Sequence, residues 1–122
     1  MINTTEQLNQ EMKTLFGLKD SEIEKANHFT DSYGYSAYIA AEILPNRLKN
    51  QDLKKIEKMF LLLNDALENG DHDVKSLVIS GYFEDLAQKE EYLDLAKKYL
   101  STEAKEYMNS VSLKYSGVRR AL

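Results

Sequence analysis

The chain has 122 residues, 43% of them hydrophobic and 30% charged, which is the composition of one globular domain and not of a disordered segment. It contains no cysteine, so disulfides, thiol nucleophiles and cysteine-based zinc or iron–sulfur sites are excluded. The net charge is −4, but residues 65–94 alone carry nine acids against two lysines, which argues against nucleic-acid binding through that region.

The first predicted helix begins after Thr4, which has capping-box spacing to Gln7 and precedes apolar residues at helical intervals. Gly17 is a plausible stop for this helix. A second capping box, Ser21 with Glu24, predicts a short helix that reaches Phe29.

Residues 30–35 are predicted to form a turn, because they combine Asp, Ser and Gly. The next helix is predicted from about Ser36 to Lys49. Pro45 falls inside it and removes a backbone hydrogen bond, so we expect a kink or a break there.

The clearest predicted helix covers residues 52–69 and is apolar around most of its circumference, which is typical of a central helix. Asn69-Gly70-Asp71 then supplies a C-cap glycine followed at once by an N-cap aspartate. So short a connection predicts that this helix and the next are antiparallel neighbours.

The helix predicted at residues 72–87 is also broadly apolar, which indicates that it packs on more than one side or presents an apolar face to a partner. Two further helices are predicted at 89–100 and from Ser101 or Thr102 onward, with a tail that frays from about residue 116. The sequence therefore predicts a single all-α domain, residues 1–122, with about six to seven short helices in an orthogonal bundle or a short HEAT-like stack of antiparallel hairpins.

The order of these parts from about Tyr38 to Tyr115 resembles a family of small bacterial helical proteins. The likeness is carried by the proline-interrupted helix, the apolar helix that follows it, the Asn69-to-Val74 connection and the Ala96-to-Ser101 segment. The Asp73-Val74-x-x-Leu77 portion is also similar to the start of a HEAT-repeat second helix. The resemblance implies an immunity protein, such as those of contact-dependent growth inhibition, that binds and neutralises a cognate toxin.

The candidate partner-binding residues are of two kinds, acidic and aromatic. A toxin that cleaves nucleic acid is usually cationic, and an acidic surface would steer it and cover its active site. Tyrosines are common at interface hot spots, although they also fill cores. The acidic candidates are Asp65, Glu68, Asp71, Asp73, Glu84 and Asp85, and the aromatic ones are Tyr33, Tyr35 and Tyr38.

No recognised catalytic motif occurs in the chain, so we expect neither an enzyme nor a cofactor. His28 and His72 are far apart in sequence, and the acids beside His72 are better explained as helix-capping residues than as metal ligands.

Two interpretations of the function follow. The first is an immunity protein that binds a basic toxin domain through a surface of acidic side chains. The second is a helical adaptor or self-associating regulatory protein that binds through an apolar helix face. We expect a cytoplasmic protein with a protein partner and no nucleic-acid or membrane partner, because the first residues lack a leader pattern and no apolar run could cross a bilayer.

Overall fold

A computed structural model describes residues 1–19, 21 and 32–115, and it describes the side chains of all of these except residues 32, 33 and 112–115. This part of the chain is all helical and contains six helices. The helices are α1 (Thr5–Phe16), α2 (residues 32–49), α3 (Leu53–Asn69), α4 (residues 72–86), α5 (Glu90–Tyr99) and α6 (Thr102–Tyr115). The predicted all-α class is confirmed.

The two ends of α1 follow the sequence prediction. The Thr4 hydroxyl accepts a hydrogen bond from the Gln7 N–H at 3.2 Å, and the Gln7 side chain accepts one in return from the Thr4 N–H. Gly17 ends the helix at a φ of 66°, a left-handed conformation that glycine adopts without a steric penalty. The helix predicted from Ser21 to Phe29 lies outside the described residues except for Ser21.

Helix α2 differs from its prediction at its start and in its middle. It begins at Ser32, so residues 32–35 are helical and not a turn; Gly34, Tyr35 and Ser36 are all buried, and this packing overrides the turn propensity. The helix is not broken at Pro45. It passes through a π-helical turn, Ile39–Ile43, in which the Leu44 N–H donates to the Ile39 carbonyl, and the α-helical part Leu44–Lys49 follows.

Helix α4 contains a second π-helical stretch, Leu77–Phe83, between His72–Ser76 and Glu84–Leu86. This stretch explains the broad apolar pattern. Leu77 and Leu86 are nine residues apart, about two and a half turns of a regular α-helix, and would point to opposite sides. Both are at most 1% exposed, because the π-helical stretch turns the chain less per residue and brings both side chains into one core.

The hydrophobic core lies where α4 meets α1, α2, α3 and α6. Helix α3 contributes Ile56, Met59, Phe60, Leu63, Ala66 and Leu67 to it. Asn64 ties α3 to the α5–α6 connection, since its amide donates to the Tyr99 carbonyl at 3.1 Å and its Oδ1 accepts from the Ser101 N–H at 2.9 Å. One face of α3 stays open to solvent, with Leu61 49% exposed.

Near the end of the described chain, Ser101, one of the two residues predicted to begin the last helix, is its cap, since its hydroxyl accepts from the Ala104 N–H at 3.2 Å. The helix continues to Tyr115, and residues 116–122, where fraying is predicted, lie outside the described part of the chain. Within that described part, no helix combines the length and the apolar character that crossing a membrane requires.

Candidate protein-binding surface

The connection between α3 and α4 places acidic residues at a tight turn. Asp71 caps α4, with its Oδ1 accepting a hydrogen bond from the Val74 N–H at 2.9 Å, as the sequence predicts. Gly70 occupies the C-cap position with an extended backbone, at a φ of −74°. A Cβ on Gly70 would lie 2.6 Å from the Val74 Cγ1 atom, so the turn closes this tightly only with glycine.

The first residues of the chain pack against this turn. The Asp71 N–H donates to the Asn3 carbonyl at 3.0 Å, and the Ile2 N–H donates to Asp65 Oδ1 at 3.3 Å. The same Asp65 oxygen accepts from the Asn69 amide at 2.7 Å. Asp65 is therefore half-buried and has a structural role as an acceptor that joins α3 to the chain's first residues.

The structure brings together four of the six predicted acids. Asp65 and Glu68 are neighbours one turn apart on α3, and Asp71 and Asp73 follow at the start of α4. Glu84 and Asp85 lie near the other end of α4. The helix between them places these two roughly 15–20 Å from the turn, so they belong to a different part of the surface.

Two acids that sequence reasoning missed join this group. Glu6 and Glu11, both on α1 and both exposed, line a cleft of about 570 Å³ together with Asp65. A charge count along the chain hides them, because residues 1–64 carry nearly equal numbers of acids and bases. Only the packing of α1 against α3 reveals the grouping. We call the surface formed by Glu6, Glu11, Asp65, Glu68, Asp71 and Asp73 the acidic end.

The carboxylates of the acidic end form no ion pair with any cationic side chain that the structure describes. Within the described residues, none of these carboxylates has a cationic group within 4 Å, whereas Arg47 and Asp52 pair at 3.5 Å elsewhere. Glu6, Glu11, Glu68, Asp71 and Asp73 are exposed. The result is a negative surface, and its attraction for cations decreases as salt is added.

The tyrosine candidates are placed differently. Tyr35 is 7% exposed and lies in the core, so of the two roles left open by the sequence it has the packing role. Tyr38 is partly buried and packs against the core. The side chain of Tyr33 lies outside the described residues. Neither Tyr35 nor Tyr38 is among the residues that form the acidic end.

Asp85 is partly buried between α2 and α4, beside the buried polar residues Ser36 and Tyr82. Its carboxyl is hydrogen-bonded by the Ser36 side chain, and burial raises its pKa despite that bond, with a further contribution from Glu84. The nearby Tyr82 hydroxyl is buried and has no hydrogen-bond partner among the described residues, and burial together with the Asp85 charge raises its pKa above the usual range. Asp85 is thus a partly buried structural group and not an exposed contact residue.

His72 is exposed in the first turn of α4. No set of three His, Asp or Glu side chains gathers as a metal site in the described ranges, and His28 lies outside them. The carboxylates of the acidic end can attract cations and accept hydrogen bonds.

A family model described as Domain of unknown function (DUF7674) matches residues 9–116, so the chain belongs to that family. No curated protein matches the chain, and no solved structure does. The match covers all six helices except the first turn of α1.

Proposed function

We propose that this member of the DUF7674 family is a non-enzymatic binding protein, most specifically an immunity protein that neutralises a cationic toxin through its acidic end. The observation that carries the proposal is the group of carboxylates at the α3–α4 turn, most of them exposed and none in an ion pair with a described residue, extended onto α1 by Glu6 and Glu11. In this proposal the two proteins meet in the cytoplasm, where a nuclease toxin would act.

The physical basis is complementarity of charge. A nuclease holds phosphates with lysine and arginine side chains, and an anionic surface on a partner competes for the same side chains. The Asp71 carboxylate is held by its N-cap hydrogen bond, and the backbone N–H of the same residue donates to the Asn3 carbonyl. A carboxylate held in this way loses little conformational freedom when a partner binds.

The alternative, an adaptor that uses the apolar face of residues 72–87, has less support. Val74, Leu77, Val78, Tyr82, Phe83 and Leu86 are each at most 2% exposed, so this face is occupied by the protein's own core. Binding through it would require α4 to leave the bundle.

Co-expression with the product of the adjacent gene, followed by co-purification and titration calorimetry, tests the proposal. We expect a stable complex at low salt whose affinity falls as the ionic strength rises, since the contacts are electrostatic. The variant Glu68→Gln/Asp73→Asn removes two charges from the acidic end and should weaken binding about tenfold.

The matched control is Glu90→Gln/Glu91→Gln, which removes the same number of exposed charges at the start of α5. It should leave the affinity unchanged. The proposal fails if the neighbouring gene product does not bind at low salt, or if both double variants weaken binding equally.

A further inference from the structure

The outer surface of the α1–α3 pair forms a groove that the proposed function does not use in full. Its lining residues show that the two helices are antiparallel, since Glu6 and Asp65 meet at one end and Thr14 and Lys54 at the other. The part of the groove beside the acidic end continues into a wider cleft of about 900 Å³. Leu15, Leu61 and Leu62 supply apolar surface in this wider part. We call the whole feature the α1–α3 groove.

The charges beside this groove follow a definite order. On α3, an outward-facing stripe has spacings of i, i+4, i+7, i+11 and i+14, and the exposed Glu57 lies beside its basic half. Two cations come first, one exposed leucine lies in the middle and two acids come last, so the stripe reads Lys54, Lys58, Leu61, Asp65, Glu68.

We propose that a second copy of this chain docks on the α1–α3 groove, with the two α3 helices antiparallel about a twofold axis near Leu61. In this arrangement Lys54 of each copy lies opposite Glu68 of the other, and Lys58 lies opposite Asp65. Leu61 and Leu62 meet their counterparts at the centre. A twofold interface requires a surface complementary to itself, and a stripe that runs from positive through apolar to negative has that property.

A second copy fits this stripe better than a partner of one charge. A uniformly cationic protein is attracted by the acidic half but repelled by Lys54, Lys55 and Lys58. A uniformly acidic protein is attracted by these lysines but repelled by the acidic half. Only an occupant with the opposite order of charges satisfies both halves. The antiparallel copy of the same helix provides that order.

The length of the contact sets the expected strength. Helix α3 has 17 residues, which makes it about 25 Å long. Two such helices crossing a groove of this size bury an area at the low end for specific interfaces. We therefore expect a weak, reversible dimer with a dissociation constant of about 10–100 μM. The dimer should be more stable at low salt.

Self-association and toxin binding share Asp65 and Glu68, so the two partners compete for these residues. The basic half of the stripe belongs to self-association alone. Lys54 therefore separates the two proposals, because its substitution changes dimerisation without touching the acidic end.

Sedimentation velocity of the full chain from about 5 to 300 μM at low salt tests this inference. The wild type should shift from monomer to dimer over this range. Lys54→Glu should weaken the dimer at least about tenfold, because the twofold axis repeats each repulsive pair. Glu68→Lys should do the same, and the double variant Lys54→Glu/Glu68→Lys should recover most of the loss.

Lys97→Glu, which reverses an exposed charge on α5, is the matched control and should not alter the dimer. Circular dichroism of each variant verifies folding. A wild type that remains monomeric throughout overturns the inference, as does a double variant no better than the single ones. Loss of toxin binding in Lys54→Glu would assign the groove to the toxin and would also overturn it.

Discussion

The α3–α4 turn and the contact between α2 and α4 both hold carboxyl groups, but their polar atoms are satisfied to different degrees. At the turn, Asp71 caps a helix and Asp65 accepts two hydrogen bonds, so these acids support the fold. Between α2 and α4, the Tyr82 hydroxyl is buried without a hydrogen-bond partner in the described part of the chain, and burial raises the pKa of Asp85. A buried polar group without a full set of partners costs stability. Polar side chains therefore stabilise the turn, where they have partners, and reduce stability between α2 and α4, where burial is incompletely compensated.

The largest effect is expected at the turn from Gly70→Ala. The added methyl group would overlap the Val74 side chain and the Ala66 carbonyl, so the turn must open. We expect a loss of about 2–4 kcal/mol in the free energy of unfolding, measured by urea denaturation. Gly17→Ala is the control, since its Cβ has open space and only the left-handed backbone opposes it, at about 1 kcal/mol. Equal losses in the two variants would contradict the steric explanation.

Removing the helix cap with Asp71→Ala should cost about 1 kcal/mol, because the Val74 N–H loses its acceptor. Asp71→Asn keeps an acceptor oxygen and should recover most of that loss. The urea denaturation midpoints of the two variants, compared with that of the wild type, measure these losses of stability. If Asn is no better than Ala, the carboxylate acts through its charge and not as a cap.

The contact between α2 and α4 should respond in the opposite direction. Tyr82→Phe removes a buried hydroxyl without a partner and should raise the free energy of unfolding by about 1 kcal/mol. Tyr92→Phe is the matched comparison, because its hydroxyl donates to the Ala40 carbonyl at 3.2 Å and its loss should lower stability by a similar amount. Effects of the same sign in both variants would contradict the contrast.

The smallest effect is expected in the pH dependence of stability. Because the pKa of Asp85 is raised in the folded protein, the folded state binds more protons than the unfolded chain above the ordinary carboxyl pKa of about 4. Its contribution to stability is thus present at low pH and is lost as the pH rises through the raised pKa. Asp85→Asn should remove this component, so its stability relative to the wild type should be higher at pH 7 than at about pH 3.5. Thermal unfolding of both proteins at the two pH values measures the difference, and no change between them would contradict it.

Local signals predicted the ends of helices well. The Thr4 and Ser101 caps, the Gly17 ending and the Asp71 cap each depend on residues within three or four positions, and all are confirmed. The predicted start of α2 was wrong, because Gly34 and its neighbours are buried by distant parts of the chain. The π-helical turns were not predicted either. Pro45 and the broad apolar pattern of α4 each indicate an irregular helix, but neither specifies a π-helical hydrogen-bond pattern.

The candidate surface was only partly predictable. The grouping of Asp65, Glu68, Asp71 and Asp73 was predicted correctly, because these acids lie within nine residues of one another and a short turn keeps them together. Glu84 and Asp85 were grouped with them on charge alone, and the length of α4 separates them. Glu6 and Glu11 join the surface through the packing of α1 on α3, which depends on contacts more than fifty residues apart and leaves no mark in either segment.

The π-helical stretch in α4 also bears on how this chain tolerates insertions and deletions. Removing one residue near Ser80 would let the backbone return to regular α-helical hydrogen bonding, so the helix itself would survive. Leu77 and Leu86 would then lie eight residues apart, which in a regular α-helix leaves them within about 80° of each other, so Leu86 would stay on the core side. A deletion in the middle of α3, which is α-helical throughout, would have no such outlet and would rotate every later side chain by about 100°. We therefore expect α4 to tolerate the loss of one residue in its π-helical stretch better than α3 tolerates the same loss.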